Sequence, residues 1–481
     1  MQKKSVFSIT LCSLVTSLFL HSAQADIEWS GVYRIEGYHF KNPEMGGRGK
    51  ELGFGLHHLV LRPKIVAGDG LTIHGQFDIL NNDRYPNSQL GQVWGSGLRD
   101  PGGAAATSAE NSNVLSERQK ADTFSVSQVY LTLTQEYGAL IVGRAPLQFG
   151  LGMTHSAGRG LFDHWYDTRD LVGYKFLIGN MYILPMIGKP SEGEINRTDD
   201  VTDYMIQAAY ENPETDLELG VFYQMRRAGD QGSDAPAGIG GGPLGGTGAA
   251  NAGEVDARTV NLYALKDTET LRLGFEASFQ SGESGVIISE NNVGWEGFGI
   301  AAEFGYRPEG SSWQWGLNAG MATGDDPETN DKFEGFLFDR NYDVAMLMFN
   351  QPLGHYDLFR TQLLNGTSVR DADGFVQRAD VETISNVIYL VPRATYVFND
   401  RWSLENRLAT GWLNTNPLSG GQKADKDLGY EWDISLSFAP RKGVVWTTQA
   451  GLLFPGSAWE GGGQYDSKFG YGLATKAAIS F

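Results

Sequence analysis

Apolar and polar residues alternate with a period of two along much of this chain. In residues 271–280 one face holds leucine, phenylalanine and alanine, and the other holds arginine, glycine, glutamate, serine and glutamine. Successive side chains of a β-strand point to opposite faces, so this alternation predicts strands with one apolar and one polar face. The same pattern recurs at 217–226, 313–322, 402–413 and 430–439.

The connections between the strands indicate a barrel. We count about eighteen strands from the pattern, joined by short polar turns that alternate with longer polar segments. In membrane barrels the short turns are periplasmic and the long loops extracellular. We therefore predict an all-β fold, a transmembrane antiparallel up-and-down β-barrel with both chain ends on the periplasmic side. The alternative, a soluble β-sandwich, has no reason to keep every long loop at one end.

The first residues are predicted to be a targeting segment. Lys3 and Lys4 precede an apolar stretch, and Ala23-Gln24-Ala25 forms a small-x-small cleavage site. We expect residues 1–25 to be a signal peptide and residues 26–481 to form a single outer-membrane barrel domain. The one cysteine, Cys12, lies in the signal peptide, so the barrel is expected to have no disulfide.

Composition narrows the class further. The 63 glycines and the 12% of aromatic residues suit many strands joined by turns. No apolar run approaches the roughly 20 residues of a membrane-spanning helix, which excludes an α-helical membrane protein. The net charge of −19 argues against nucleic-acid partners. We expect no cofactor and no resident metal.

A barrel of this width encloses a lumen, so function should lie in inward-facing side chains and folded-in loops. By strand parity, bases and acids nearly balance on the inner face of this acidic chain. A lumen more basic than the exterior would favour anions, while a ladder of cross-strand ion pairs that stiffens the wall is the alternative. The residues expected along the solute path are Arg62, Lys64, Arg144, Lys175, Arg393, Arg407 and Glu431.

The long segment 324–381 carries two further features. Asp325, Asp326 and Asp331 cluster carboxylates that could bind a cation such as Ca²⁺, and an acidic solvated loop is the alternative. Residues 344–349 are apolar. Because a large exposed apolar patch is unusual in a protein without a partner for it, we predict that part of this loop folds into the barrel or packs over its mouth.

The end of the chain suggests a partner. Phe481 closes a strand with aromatic and aliphatic residues on one face, similar to the C-terminal signal that the barrel-assembly machinery of bacteria reads. Aromatic residues near strand ends suit the two interfacial girdles of a membrane barrel. We expect a bacterial outer-membrane location, with outer-membrane lipid and lipopolysaccharide as neighbours.

Short motifs resemble the alginate-export family of outer-membrane barrels. They are Gly143-Arg144 with Phe149-Gly150-Leu151-Gly152, Ala322-Thr323-Gly324-Asp325-Asp326 with Phe333-Glu334-Gly335-Phe336, and Gly429-Tyr430-Glu431-Trp432-Asp433 with Phe454-Pro455-Gly456. The resemblance implies a wide eighteen-stranded barrel, loops that constrict it, and passage of polar or anionic solutes. We expect Arg144, Arg393, Arg407 and Glu431 to line such a path.

Three function classes follow. The first is a channel or porin that passes polar solutes, among them anionic ones, or saccharides. The second is a surface adhesin or receptor, or a structural protein, with a loop-plugged barrel. The third is a barrel hydrolase built on His155 and Ser156, but the chain lacks a G-x-S-x-G motif. We therefore expect no enzymatic activity.

Overall fold

The structure is a computed structural model. It describes residues 26–46, 51–81, 91–94, 98–99, 119–120, 124–191, 201–228, 254–288, 291–329, 331–351, 353–354, 358, 383–418 and 421–481. The predicted signal peptide lies outside these residues.

Eighteen long antiparallel strands form one closed barrel. We number them in chain order as β1 Asp26–Lys41, β2 Glu51–Gly68, β3 Leu71–Ile79, β4 Phe124–Gln135, β5 Gly138–Pro146, β6 Thr168–Ile178, β7 Met181–Ser191, β8 Val201–Asn212, β9 Leu217–Ala228, β10 Val255–Asp267, β11 Leu271–Ile288, β12 Asn291–Tyr306, β13 Trp313–Ala322, β14 Val387–Asn399, β15 Trp402–Leu413, β16 Asp427–Arg441, β17 Val444–Pro455 and β18 Gly470–Ser480. Each strand pairs with its neighbours in sequence, and β18 pairs with β1 to close the ring.

Several short strands and a 3₁₀ helix lie in the loops. Short two-residue strands occur at Gln92–Val93, Leu98–Arg99, Gln119–Lys120 and Lys332–Phe333, and a 3₁₀ helix at Ser457–Glu460. None of the helices in the described part of the chain is long and apolar enough to cross a membrane.

The alternation in the sequence has the predicted structural meaning. On β16, Tyr430 and Trp432 are 46% and 42% exposed on the outer surface, whereas Glu431 and Asp433 point inward and are buried. β9 and β11 behave in the same way, with exposed leucine, valine and phenylalanine outside. The apolar face thus surrounds the barrel and the polar face lines its interior, as a lipid environment requires.

Connection length separates the two ends of the barrel. The turns at one end are short, from the two residues between β2 and β3 to the six between β12 and β13. The loops lie at the other end. One of the longer polar segments that the sequence pattern predicts as loops is 281–293, and this prediction is wrong, because β11 continues to Ile288 and β12 begins at Asn291. Glycines with positive φ, Gly282 and Gly285, accompany a register shift there, so a bulged strand has the composition of a loop.

Two loops fold into the barrel and create its core. They are the β5–β6 loop, residues 147–167, and the described parts of the β13–β14 loop, which spans residues 323–386. Residues 344–349 of the second are all buried, which confirms the prediction that this apolar stretch folds inward. They belong to a cluster with Phe336 and Phe338 of the same loop and Tyr38, Phe40 and Tyr389 of the wall. The core therefore lies inside the barrel.

Candidate functional site

A buried carboxylate holds the β5–β6 loop to the wall. Glu276 projects inward from β11 and is fully buried. It accepts hydrogen bonds from the backbone N–H groups of Leu151 (2.7 Å) and Met153 (3.2 Å) and from the Thr154 hydroxyl (3.0 Å). Gly150 has φ +53°, and a Cβ there would lie 2.6 Å from Glu276 Oε2. The absence of a side chain therefore permits this approach.

Two further carboxylates, Glu431 and Asp433, hold the β13–β14 loop to the wall. Glu431 accepts hydrogen bonds from the backbone N–H groups of Leu347 (2.7 Å) and Met348 (2.6 Å). Asp433 accepts one from Met346 N–H at 3.0 Å. The carboxylates thus satisfy backbone donors that the inward fold removes from water. They also explain how a loop whose side chains are apolar can lie against a polar wall.

The two loops also contact each other in the lumen. The Asn341 side chain donates to the Ser156 hydroxyl (3.2 Å) and to the Trp165 carbonyl (2.9 Å), and its oxygen accepts from Trp165 N–H (3.0 Å). The Asp339 N–H donates to the Met153 carbonyl at 2.6 Å. The loops therefore form one constriction, held at three places: two on the wall and one between the loops.

Charged groups meet where the constriction faces β1 and β18. The His164 imidazole lies 2.8 Å from Glu36 Oε1, and Arg34 Nε lies 3.1 Å from the same oxygen. The Tyr38 hydroxyl donates to the other oxygen of Glu36 at 2.6 Å. The Arg34 guanidinium also donates to the Asp163 carbonyl. Burial lowers the pKa of His164, although the Glu36 carboxylate acts in the opposite direction.

Asp343 is an acidic residue of the constriction that faces the lumen. Its side chain is exposed, and its carboxylate has no hydrogen-bond or ion-pair partner among the described residues. Protein nevertheless surrounds this space, and that burial raises the pKa of Asp343 to about 6, while the positive charges of Lys476 and Arg407 act against the rise. Lys476 also lies over the Tyr38 ring, 5.4 Å from its centroid.

Arg393 and Arg407 lie opposite each other on β14 and β15. Both point inward. Arg407 Nε donates to Glu405 Oε1 at 2.6 Å, whereas Arg393 has no hydrogen bond or ion pair with another described residue. A side chain at Gly316 would clash with the Arg393 guanidinium. This part of the wall therefore carries one neutralised and one free positive charge, which places both predicted residues at the lumen surface.

Three further predicted residues also face inward. Arg62 Nε donates to Gln76 Oε1 at 2.9 Å. Because the Gln76 amide is neutral, this hydrogen bond does not compensate the positive charge of Arg62. Lys64 forms an exposed pair with Glu28 at 2.9 Å near the turn end. Lys175 lies over the Tyr182 ring, 3.7 Å from its centroid. Arg62 and Lys175 lie near the constriction, since Arg62 interacts electrostatically with the loop residue Asp163 and Lys175 lines a pocket together with Phe149 of the same loop.

The inward assignment of Arg144 is wrong. Arg144 pairs in register with Val129, which is 49% exposed on the outer surface, and it forms two hydrogen bonds of 2.8 Å with Asp170 on the same surface. The strand β5 is apolar on both faces, because its inner face packs against the β5–β6 loop through Ile141 and Ala145. Alternation therefore could not reveal which face is the inner one.

Two other predicted roles also need correction. Glu431 faces inward as predicted, but it is buried beneath the β13–β14 loop and anchors it instead of lining an open path. The cation site at Asp325, Asp326 and Asp331 is not assembled. The first two carboxylates accept backbone N–H groups of Glu334 and Glu328, both at 3.0 Å. In the described part of the chain, no group of three or more His, Cys, Asp or Glu side chains converges on a point.

A side pocket of about 620 Å³ opens beneath the β5–β6 loop. Its roof is apolar and includes Phe149 and Leu147 from the loop. The wall adds three tyrosines and several polar groups, and these lining residues are Tyr130, Tyr182, Tyr263, Lys175, Gln207, Glu211 and Glu218. An apolar cavity with a few convergent polar groups is the usual form of a small-molecule site.

Sequence reasoning missed the groups that the loops bring into the lumen. Asp163 lies in a polar loop in which nothing in the pattern indicates an inward turn. Asp343 precedes the apolar stretch 344–349, which indicates an inward loop but not that this carboxylate would face the lumen. Sequence reasoning also missed Asp203, which is buried and binds two arginines, with Arg169 Nε at 3.0 Å and Arg226 Nε at 2.8 Å. Strand parity on β8 carried a signal for Asp203, since Tyr204 and Ile206 form the outward set.

The comparisons with known proteins agree with this architecture. No protein-family model matches the chain, and no curated protein matches it. Among solved structures, OccK9 (OpdG) of Pseudomonas aeruginosa is 12% identical with a TM-score of 0.52, covering 95% of this chain and 98% of that one. OccK2 (OpdF) of the same species is 12% identical with a TM-score of 0.50, covering 95% and 98%. OpdQ is 9% identical with a TM-score of 0.50, covering 95% and 98%.

These relatives are outer-membrane porins. The chain has the fold of an outer-membrane porin. At this identity the likeness concerns the fold, and the resemblance to the alginate-export family stays a prediction. The motifs that carry the resemblance have a structural role in this chain. Phe149 to Gly152 form the part of the β5–β6 loop held by Glu276, and Glu431 with Asp433 anchors the other inward loop.

Proposed function

We propose that this protein is an outer-membrane channel that passes small polar solutes and favours anionic ones. One observation carries the proposal: Arg393 and Lys476 face the lumen of a closed barrel at the constriction and have no hydrogen-bond or ion-pair partner among the described residues. In the described part of the inner wall, several acids form ion pairs with bases and others are buried beneath the loops; the paired acids include Glu36, Asp203, Glu303 and Glu405, and the buried ones include Glu276 and Glu431. Rings of positive charge attract anions through a pore, and Asp343 sets an opposing charge beside them.

The apolar outer face supports the location. A belt of exposed leucine, valine, phenylalanine and tryptophan surrounds the barrel, and hydrocarbon is the solvent that suits it. The loop end would face the cell exterior. Cleavage after Ala25 and capture by the assembly machinery through Phe481, which is 60% exposed at the end of the closing strand, complete this proposal.

Planar-bilayer recording tests the channel and its preference. The wild type should show discrete conductance steps, with anions more permeant than cations. In an Arg393→Gln/Lys476→Gln variant we expect the anion-to-cation permeability ratio to fall at least about twofold. The matched control is Lys266→Gln, which removes one exposed cation from the outer surface and should leave the ratio unchanged. An unchanged ratio in the double variant would contradict the proposed preference.

The side pocket is the proposed resting place of the solute. Tyrosine ring faces next to the acceptors of Glu211, Glu218 and Gln207 suit a compact ring that carries hydroxyl or other polar groups, such as a small saccharide. Tyr263 donates its hydroxyl to Glu218 at 3.1 Å. In current traces, Tyr263→Ala should shorten the blocking events of a sugar that resides in the wild-type lumen.

A plugged surface-binding barrel is the second candidate. The observation that favours it is the apolar cluster of residues 344–349, which fills part of the lumen. Such a barrel would show no conductance in the wild type, and deletion of residues 344–349 would open it. Conductance in the wild type would exclude this candidate.

A further inference from the structure

Charged residues form a row on the outer surface at the loop end of the barrel. We call this the rim row and define it by Arg144, Asp170, Lys189, Arg227, Asp256 and Arg258. They lie on strands β5, β6, β7, β9 and β10. Cross-strand pairing places Asp170 opposite both Arg144 and Lys189, and Asp256 opposite Arg227. Strand β8 separates the residues on β5, β6 and β7 from those on β9 and β10, and its Thr202 is the register partner of Arg227.

The rim row faces outward. The side chains of Arg144, Arg227 and Arg258 are 52%, 54% and 51% exposed. Lys189 has the same parity as Ile187, and Arg258 pairs in register with Met225, on the same face as Val221. These side chains therefore cannot contact a solute in the lumen. They point to whatever surrounds the barrel at this height.

The rim row has more positive than negative charge. Its three arginines share two carboxylates, Asp170 and Asp256, and Lys189 lies next to Asp170 in the sheet. Asp256 forms ion pairs with two arginines: its Oδ2 lies 3.3 Å from Arg227 Nη2, and its Oδ1 lies 3.2 Å from Arg258 Nε. A guanidinium has five N–H donors, so most donors of the two arginines have no partner among the described residues. Arginine binds phosphate with paired N–H donors.

Exposed ion pairs alone do not explain the arrangement. Such pairs are worth only about 0.2–1 kcal/mol each, and the excess bases repel one another. The cluster therefore adds little to the stability of the barrel. A ligand that supplies further negative charge would balance it.

The height of the rim row identifies the surrounding layer. On β10 the outward residues that follow Arg258 are Val260, Leu262 and Ala264, and the next charged one is Lys266. At roughly 3.4 Å per residue this span is about 27 Å along the strand, or about 20 Å in height at a tilt of roughly 40°. The apolar band of membrane barrels is about 25 Å tall. The rim row thus lies at one edge of the hydrocarbon layer, where lipid headgroups begin.

We propose that the rim row binds the phosphate-bearing headgroup of the outer-leaflet lipid, lipopolysaccharide, while the acyl chains lie along the apolar surface below it. Arg227 and Arg258 hold the phosphate, and Tyr223, Val260 and Phe279 contact the chains. The proposal shares with the proposed function only the outer-membrane location. Loss of solute selectivity and loss of lipid binding involve different residues and different assays.

Binding of lipid A to the purified barrel in detergent tests the proposal. By native mass spectrometry, we expect the wild type to retain lipid A and an Arg227→Gln/Arg258→Gln variant to bind it at least tenfold more weakly. Lys266→Gln, at the opposite edge of the apolar band, should bind as the wild type does. Lipid A stripped of phosphate should bind at least tenfold more weakly to the wild type. Heat-modifiable gel migration establishes that each variant is folded.

Two further arms separate the alternatives. Inorganic phosphate at equal concentration should not displace lipid A, and displacement would assign the site to free phosphate instead. Asp256→Asn removes the competing carboxylate, so lipid A binding should be retained or strengthened. Equal lipid A binding by the wild type and the double arginine variant would overturn the proposal, as would an equal loss in Lys266→Gln.

Discussion

Removing the Glu276 carboxylate should weaken the docking of the β5–β6 loop on the barrel wall and make its release more frequent. This carboxylate accepts three hydrogen bonds from residues 151–154 and has no contact with water. Hydrogen bonds to a charged group are worth about 1.5–3 kcal/mol each. Glu276→Ala therefore removes on the order of 5 kcal/mol or more of loop docking. Strand pairing is untouched, so the barrel itself should persist.

The apolar contacts of the loop oppose release. Leu147, Phe149 and Met153 are buried, and each contributes about 1.5–3 kcal/mol when it leaves water. Glu276→Gln keeps one acceptor oxygen and should lose about 1.5–3 kcal/mol. Since each 1.4 kcal/mol is about tenfold in an equilibrium constant, the ratio of released to docked loop should be about ten- to a hundredfold higher in the Gln variant than in the wild type. In the Ala variant the same ratio should be more than about a thousandfold higher than in the wild type.

Hydrogen exchange of the backbone amides measures this release. The Leu151 and Met153 amides donate to Glu276 directly, so their protection should fall in the order wild type, Gln variant, Ala variant. Single-channel records should show larger and noisier conductance in the same order. The control is Glu218→Gln, an inner-wall acid on β9 whose described hydrogen bond is to Tyr263. Equal protection of both amides in the wild type and in Glu276→Ala would refute the reasoning.

Three further outcomes follow from the constriction. Asp343, with a pKa raised to about 6 by burial, is neutral below that pH and charged above it, so anion selectivity should decrease as pH rises from 5 to 7 in bilayer recordings. Asp343→Asn should retain the low-pH selectivity throughout, and a pH dependence equal to the wild type would contradict this assignment. In Gly150→Val the new side chain would clash with the Glu276 carboxylate oxygen, and the φ of +53° is unfavourable for valine. Hydrogen exchange of the amides of residues 151–154 should therefore increase, and unchanged exchange would refute the close approach of Gly150 to Glu276. Met348→Asp places a charge in the apolar cluster and should undock the β13–β14 loop, measured as increased conductance, whereas unchanged conductance would indicate that this loop does not limit the pore.

The faces of the strands could be predicted wherever one face is polar. On β9, β11 and β16 the inward and outward residues lie as the alternation indicates, because lipid and the lumen select opposite side chains. On β5 the rule failed, since a folded-in loop makes both faces apolar. Arg144 was assigned to the wrong side for this reason. The apolar stretch 344–349 indicated an inward loop, but it did not reveal which wall residues receive it.

The sequence alone determined which face of most strands contacts lipid and which faces the water-filled lumen. Period-two alternation, short turns and long loops specify a membrane barrel, because each is a local response to hydrocarbon outside and water inside. Only the tertiary structure decided the composition of the constriction. Glu276 is far from residues 151–154 in sequence, as Glu431 is from Leu347, and such contacts form only once the closed sheet fixes the distances across the lumen. The same closure turned Arg144, Arg227 and Arg258 toward the membrane, where adjacent strands align their charges.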